Sequence, residues 1–281
     1  VGYPAADGGE KIFEAFPEQV QGYEGGFRLG GEKMFLDGSP QSRTAWMRTP
    51  YLGSEDCGYP VLTDEQVYEY TAAAVKSGRQ ILAHCNGDGA ADQYLRALSR
   101  LKEEGAHPEA VRPVMIHAQL LGLDQIPQLK RLGVIPSFFV AHVYHWGDTH
   151  IRNFGRERAS RISPAASAGK AGLLYTFHQD APVIRPDMME TVWCAVNRRT
   201  RAGELLGAEE RVTAAEGLRA VTAAAAYQYR EEGEKGTLTP GKREDLVILD
   251  QNPLKTDPRH LRQIRVLEPI KDGTTIFKRK E

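Results

Sequence analysis

The chain has 281 residues, with 36 Lys and Arg against 37 Asp and Glu, and 41% of its residues are hydrophobic. This length allows a sizeable core in one or two domains, and the balanced charge argues against nucleic acid as a partner. No apolar run approaches the roughly 20 residues of a membrane span, and the N-terminus carries no basic and apolar signal segment. Because the three cysteines have neither metal-site nor disulfide spacing, we expect a reduced, cytoplasmic protein.

Short apolar runs alternate with helical patterns between residues 29 and 199, which is typical of βα units around a parallel sheet. Each run is rich in β-formers, as strands buried on both faces should be. The expected strands comprise residues 33–36, 80–84, 113–117, 135–140 and 173–177. The expected helices comprise residues 63–78, opening on a capping box, 89–105, 188–199 and 213–226.

The character of the sequence changes at Gly236, where turn residues precede strand candidates at 245–250, 264–267 and 274–278. We therefore expect two domains, a barrel over residues 1–235 and a small appended β element over residues 236–281. The expected fold class is α/β, with only the later strands of a TIM-like (β/α)8 barrel, because closure needs eight strands and about 250 residues. Five strands would expose two sheet edges, so we expect a preceding segment or a second copy of the chain to complete the barrel.

Polar side chains follow the predicted strands at the end where parallel barrels carry their catalytic groups. Two of the runs end in His84 and His117, and the last run is followed by His178 and Asp180. A single histidine after an apolar run is more often structural, but two at successive strand ends, with an acid at a later one, favour a site. Imidazole and carboxylate are the usual ligands of a catalytic zinc ion, which keeps one position for water.

The motifs around these residues resemble the amidohydrolase superfamily, and within it the branch that contains N-substituted formamide deformylase. The run His-Cys-Asn-Gly-Asp-Gly-Ala at 84–90, the strand ending in His117, and Asp-Ala-Pro at 180–182 are similar to strands five, six and eight of that superfamily. The run Gly-Glu-Lys-Met-Phe-Leu-Asp-Gly-Ser at 31–39, continued by Arg-Thr-Ala-Trp at 43–46, is similar to strand four. In this order along the chain, the motifs are a strong signal.

The resemblance extends into the C-terminal element and also exposes one missing feature. Residues 236–250 resemble the superfamily's return to a β-sandwich, although Glu244 stands where a small residue is expected. The superfamily's strand-one His-x-His pair has no counterpart here, since no such pair occurs and no histidine precedes His84. We expect the first barrel strands, with these ligands, to come from a segment outside these 281 residues or from another chain.

The resemblance implies hydrolysis of amide-type carbon–nitrogen bonds, non-peptide or N-formyl, in small-molecule substrates by a metal-activated water. It implies that His84 and His117 bind one metal ion and that Lys33, when carboxylated, bridges two. Asp180 would bind metal and act as general base, with His178 as a second catalytic candidate. One or two divalent ions are expected, with zinc favoured and iron or manganese also suited to these ligands.

Three further side chains, His142, His145 and Trp146, are expected in the loop after strand seven, where the histidines would bind substrate or a developing oxyanion and Trp146 would line an apolar pocket for it. Ordinary packing is the more common role for a tryptophan such as Trp146. Exposed loop histidines are a nearly equal alternative for the first two. Two other functions also fit: a single-metal deaminase, which has no use for a carboxylated Lys33, and a non-catalytic barrel remnant that serves as a binding surface. A short basic cluster is expected to be solvated: Arg198, Arg199 and Arg201.

Overall fold

A parallel sheet organises the larger part of the chain in the computed structural model, which describes residues 1–280 apart from the side chain of residue 21. Its strands follow one another in chain order, each parallel to the next. The α/β fold and the expected series of five strands are confirmed, and within residues 1–280 the sheet does not close into a barrel. The strands are β1 Gly31–Phe35, β2 Gln80–Cys85, β3 Val114–His117, β4 Ile135–Phe138 and β5 Thr176–Phe177.

The register brings the carboxyl ends of the strands to one edge of the sheet. Cys85 on β2 lies opposite His117 on β3, His117 lies opposite Phe138 on β4, and Phe138 lies opposite Phe177 on β5. Residues that end these strands, or follow them directly, therefore meet at the same edge. The last strand is shorter than the expected 173–177, since only Thr176 and Phe177 pair with β4.

The outer edge of β1 is covered by the first residues of the chain, for which the sequence showed no pattern. Gly2 pairs with Leu29 and Ala5 with Lys33, both in the parallel sense. The Lys33 amide donates to the carbonyl of Pro4 at 2.9 Å. This segment therefore extends the sheet by one short extended stretch beyond the five strands.

Helices connect the strands, and several begin at signals that the sequence predicts. The expected capping box is confirmed, with the Gln66 amide donating to the Thr63 hydroxyl at 3.2 Å. The expected helix over residues 213–226 is instead two helices, broken at Thr222, whose backbone leaves the helical region. The helices are α1 Glu10–Ala15, α2 Pro17–Gln21, α3 Asp64–Lys76, α4 Asp88–Glu103, α5 Ile126–Leu132, α6 His142–Ser160, α7 Ala165–Lys170, α8 Met188–Asn197, α9 Ala214–Val221 and α10 Ala223–Gln228.

The main core lies between the sheet and its helices. On α4 the side chains at helical spacing, Ala91, Leu95, Leu98 and Leu101, are all buried, as their periodicity predicts. Ala91, Leu95 and Leu98 pack with buried residues of β2 in one cluster. Within residues 1–280, no helix is both long and apolar enough to cross a membrane.

The C-terminal part forms a separate antiparallel sheet of β6 Leu246–Leu249, β7 Val266–Lys271 and β8 Thr274–Thr275. A 3-10 helix at Pro258–Gln263 joins it to the larger part, because the indole of Trp193 on α8 donates to the carbonyl of Arg259 at 3.0 Å. The domain boundary between residues 235 and 236 stays a prediction.

Candidate metal centre

Three histidines form a row at the carboxyl edge of the sheet. His84 lies at the end of β2, His117 ends β3, and His178 follows β5. The Nε2 atom of His117 lies 3.1 Å from Nδ1 of His84, and its Nδ1 lies 3.0 Å from Nε2 of His178. Parallel strands in register thus bring together three residues that are up to 94 positions apart in the sequence, from His84 to His178.

Both ends of this histidine row are held by hydrogen bonds. At one end, Nε2 of His84 lies 3.3 Å from the backbone carbonyl oxygen of Gly38 and 3.0 Å from the side-chain amide nitrogen of Asn86. At the other end, Nδ1 of His178 lies 2.9 Å from the hydroxyl of Ser137. Two assignments of ring protons fit these contacts, and in both His117 donates to His178 and His178 donates to the Ser137 hydroxyl. In the first, Nε2 of His84 donates to Gly38, and lone pairs of His84 Nδ1 and His117 Nε2 face each other, as a shared metal ion requires. In the second, Nε2 of His84 accepts from the side-chain amide of Asn86, and its Nδ1 donates to His117.

The histidines of the row are held in their neutral form. Burial lowers the pKa of His84 and, much more strongly, that of His117, where the neighbouring imidazoles add to the effect. Burial, with the nearby ammonium of Lys33, lowers the pKa of His178 to about 3. Neutral imidazoles keep a nitrogen lone pair at neutral pH, which is the form that binds metal ions.

A buried carboxylate, Asp37, positions the loops that carry His84. Its oxygens accept hydrogen bonds from the backbone amides of Trp46 at 3.0 Å, Asn86 at 2.9 Å and Gly87 at 2.7 Å. Asp37 thereby ties the end of β1 to the end of β2, and its Oδ1 lies 3.8 Å from Nε2 of His84. Burial raises the pKa of Asp37 to about 7, although the three amides act in the opposite direction. The sequence motif contained Asp37, but its role requires the folded contacts.

Lys33 and Asp180, two other residues expected at the site, lie within electrostatic reach of the row. The charge of Lys33 lowers the pKa of His84, and the charge of Asp180 raises it. The Lys33 ammonium lies 4.9 Å from the centre of the Phe35 ring, in cation–π geometry. Asp180 is exposed and has a φ of 53°. The roles of Lys33 as a carboxylated bridge and of Asp180 as ligand and base stay predictions.

The row fits part of a metal-binding donor set. Two nitrogens bound at roughly 2.0 Å to a tetrahedral ion lie about 3.3 Å apart, close to the 3.1 Å between His84 Nδ1 and His117 Nε2. A catalytic zinc ion takes three protein ligands, and within residues 1–280 no three His, Cys, Asp or Glu side chains converge in a way that would hold an ion. The chain therefore offers two converging donors of a larger set.

The three residues expected in a loop after strand seven instead lie on α6, so that placement was wrong. The chain turns directly from β4 into the helix, which begins at His142. His142 is buried, with its Nδ1 3.0 Å from Nε2 of His150, and Nε2 of His145 lies 2.9 Å from the carboxylate of Glu190. The Trp146 ring centre lies 4.5 Å from that of His142. Substrate binding by His142, His145 and Trp146 stays a prediction.

The expectation of a solvated basic cluster was wrong for Arg198, which is fully buried. Its guanidinium donates to the carbonyls of Ile162 and Leu206, each at 2.8 Å, and of Ser163 at 3.2 Å. Backbone carbonyls thus replace water around this cation, and burial lowers the pKa of Arg198 to about 10. Arg199 and Arg201 are exposed, as expected.

A family comparison covers nearly the whole chain. Residues 7–277 match the model of the amidohydrolase family, so the chain belongs to that family.

Among known proteins, the chain is similar to N-substituted formamide deformylase of Arthrobacter pascens, with 27% identity over 76% of this chain and 39% of that protein. It is 30% identical to the protein LONG AFTER FAR-RED 3 of Arabidopsis thaliana over 80% of this chain and 39% of that protein. An uncharacterized metal-dependent hydrolase from Pyrococcus furiosus has a similar structure, with a TM-score of 0.75 and 27% identity over 90% of this chain and 50% of that one. The chain thus spans half or less of the length of these proteins.

Proposed function

We propose that this chain is part of a metal-dependent hydrolase that cleaves amide-type carbon–nitrogen bonds, non-peptide or N-formyl, in small molecules. The observation that carries the proposal is the pair of neutral imidazoles, His84 and His117, whose nitrogens converge at 3.1 Å at the carboxyl edge of the sheet. Catalytic groups of (β/α)8 enzymes lie at this edge. Membership of the amidohydrolase family and the similarity to a deformylase of N-substituted formamides support the choice of bond.

In this proposal His84 and His117 hold a divalent ion, zinc in the first instance, with iron and manganese as other candidates. A bound ion would supply a water molecule with a pKa lowered towards neutrality. His178 accepts the Nδ1 proton of His117 and so fixes the ring with Nε2 free for the ion. Asp180, exposed after β5, accepts a proton from the attacking water and returns it to the nitrogen of the leaving amine.

Lys33 has one of two roles in this proposal. Its ammonium, close enough to lower the pKa of three histidines, would repel a cation if it stayed charged. Carboxylation would turn the same side chain into an anionic ligand and allow a second ion. One bound ion per chain therefore favours the single-metal alternative, a deaminase-type site, and two bound ions favour the bridged site.

The test is a metal titration of the chain with Zn²⁺, Mn²⁺ and Fe²⁺, followed by calorimetry and elemental analysis. His84→Ala and His117→Ala should each weaken binding by at least about 10-fold, because each removes a ligand. His107→Ala is the matched control, since His107 is exposed and lies away from the row. Binding that is equal in all four proteins would refute the metal site at the row.

A hydrolysis assay tests the bond type. With metal bound and the remaining barrel strands supplied, release of a small amine from its N-formyl and N-acetyl derivatives is the expected activity, and no release from either would refute the choice of bond. Because the chain spans only part of the length of its relatives, we also propose that the remaining donors come from barrel strands supplied by a preceding segment or a second copy.

The non-catalytic alternative is favoured by one observation, the absence of a third converging donor within residues 1–280. Under that alternative the wild-type chain binds none of the three ions, and the row of neutral histidines is a hydrogen-bonded structural element. Metal binding that depends on His84 and His117 would exclude it.

A further inference from the structure

A cleft of about 450 Å³ opens between α6 and the loop that follows β5. One wall is apolar and aromatic, formed by Trp146, Pro182, Val183 and Ile184. Two arginines, Arg185 and Arg201, line the same cleft. The cleft therefore combines apolar side chains with two cations.

The cleft adjoins the histidine row. It begins two residues after Asp180, whose carbonyl accepts a hydrogen bond from the Val183 amide at 2.8 Å. The ring of Phe139 separates the two places, with its centre 5.9 Å from that of Trp146 and 5.4 Å from that of His178. The cleft therefore lies beside the histidine row, with the buried Phe139 ring between them.

The two arginines have no acidic partner within residues 1–280, where neither forms a salt bridge or a side-chain hydrogen bond. The guanidinium carbon of Arg201 lies 5.8 Å from the ring centre of Tyr144. The carboxylate that does line the cleft, Glu190, is engaged by His145 at 2.9 Å. Elsewhere on the surface an arginine with acids in reach pairs with them, as Arg48 does with two aspartates.

Unpaired arginines are common on protein surfaces, and each alone would indicate nothing. Here two of them line the same concavity, so their fields add there. A guanidinium presents a planar fork of N–H donors that matches a carboxylate. The apolar wall beside it suits a hydrocarbon or aromatic portion of the same molecule.

We propose that this cleft binds the anionic end of the substrate, a small amide that carries a carboxylate separated from the scissile bond by an apolar or aromatic spacer. The inference rests on the proposed function, since it takes the histidine row as the reaction centre. Arg185 and Arg201 are specificity residues in this reading. They bind the carboxylate, and the wall around Trp146 holds the spacer.

The test compares two ligands of the same shape, phenylacetate and phenylacetamide, by isothermal titration with the whole chain. The wild-type protein should bind phenylacetate at least about 10-fold more tightly than the neutral amide. Arg185→Met and Arg201→Met should each weaken phenylacetate binding by about 5-fold or more and leave phenylacetamide within about 2-fold. Raising the salt concentration should weaken only the binding of the anion.

Arg211→Met is the matched control, because Arg211 is also exposed but does not line the cleft. Equal affinity for the two ligands, no binding of either up to about 10 mM, or an equal loss in Arg211→Met would each overturn the inference. Ligand binding here needs neither metal nor turnover. Failure of the proposed function would appear separately, as a metal titration that does not respond to His84→Ala.

Discussion

Replacing Gly87 by alanine should both destabilise the protein and disturb the histidine row. Gly87 lies between β2 and α4, where a Cβ would overlap the carbonyl group of Trp46 and lie 3.0 Å from the Trp46 nitrogen. These are backbone atoms that no side-chain rotation can move. The two segments would have to separate by about 1 Å or more to restore an ordinary van der Waals distance.

Moving the two segments apart should lower the free energy of unfolding. Overpacking typically destabilises a protein by 1–3 kcal/mol, and here the shift also lengthens the 2.7 Å hydrogen bond from the Gly87 amide to Asp37. We therefore expect a loss of at least about 2 kcal/mol in the free energy of unfolding. His84 lies three residues earlier on the same backbone, so its 3.1 Å approach to His117 should be lost as well.

Urea unfolding followed by circular dichroism measures the first effect, and metal titration of the folded protein measures the second. Gly233→Ala is the control, because a Cβ at Gly233 meets no atom within 4 Å. If the two variants unfold within about 0.5 kcal/mol of each other, the close approach at Gly87 does not hold these segments. If Gly87→Ala unfolds early but binds metal like the wild type, the approach is structural and does not position His84.

Three further predictions concern single side chains. In an active enzyme with the remaining barrel strands supplied, Asp180→Asn should keep the fold and lower the turnover number by at least about 10²-fold, and activity within a few-fold of wild type at unchanged metal content would identify another base. Burial lowers the pKa of His150 to about 3, below its unfolded value of 6.5, so its contribution is complete above pH 6.5 and is lost as the pH falls. In the wild type, protonation of His150 in the unfolded state should therefore lower the free energy of unfolding by about 3 kcal/mol between pH 6.5 and 4. His150→Phe should lack this part of the pH dependence, as measured by urea unfolding at several pH values. Arg198→Met should destabilise by about 2–4 kcal/mol by leaving buried carbonyls without a donor, whereas the exposed Arg199→Met should cost under about 0.5 kcal/mol in the same assay.

The convergence of the histidines could be predicted from the sequence, because each strand is recognisable from its own residues and parallel strands end at one common edge. Apolar runs identified the strands, and the polar residue after each run had to lie at the common carboxyl edge. The location of His84, His117 and His178 could therefore be predicted without knowing how the loops fold. By contrast, the positions of His142 and Arg198 depended on where a helix starts and which carbonyls it leaves available, and these are tertiary outcomes.

The strands that would close the open sheet would also supply the metal ligands that the row lacks. If β1 to β5 correspond to strands four to eight of a barrel, the stretch paired with the outer edge of β1 occupies the position of strand three. Closure would then place a first strand beside β5, whose end leads directly into His178 and Asp180. The carboxyl end of such a strand would supply ligands next to the histidine row. Completing the sheet should therefore raise unfolding free energy and metal affinity together, and a completed sheet that gained stability without metal affinity would separate the fold from the proposed chemistry.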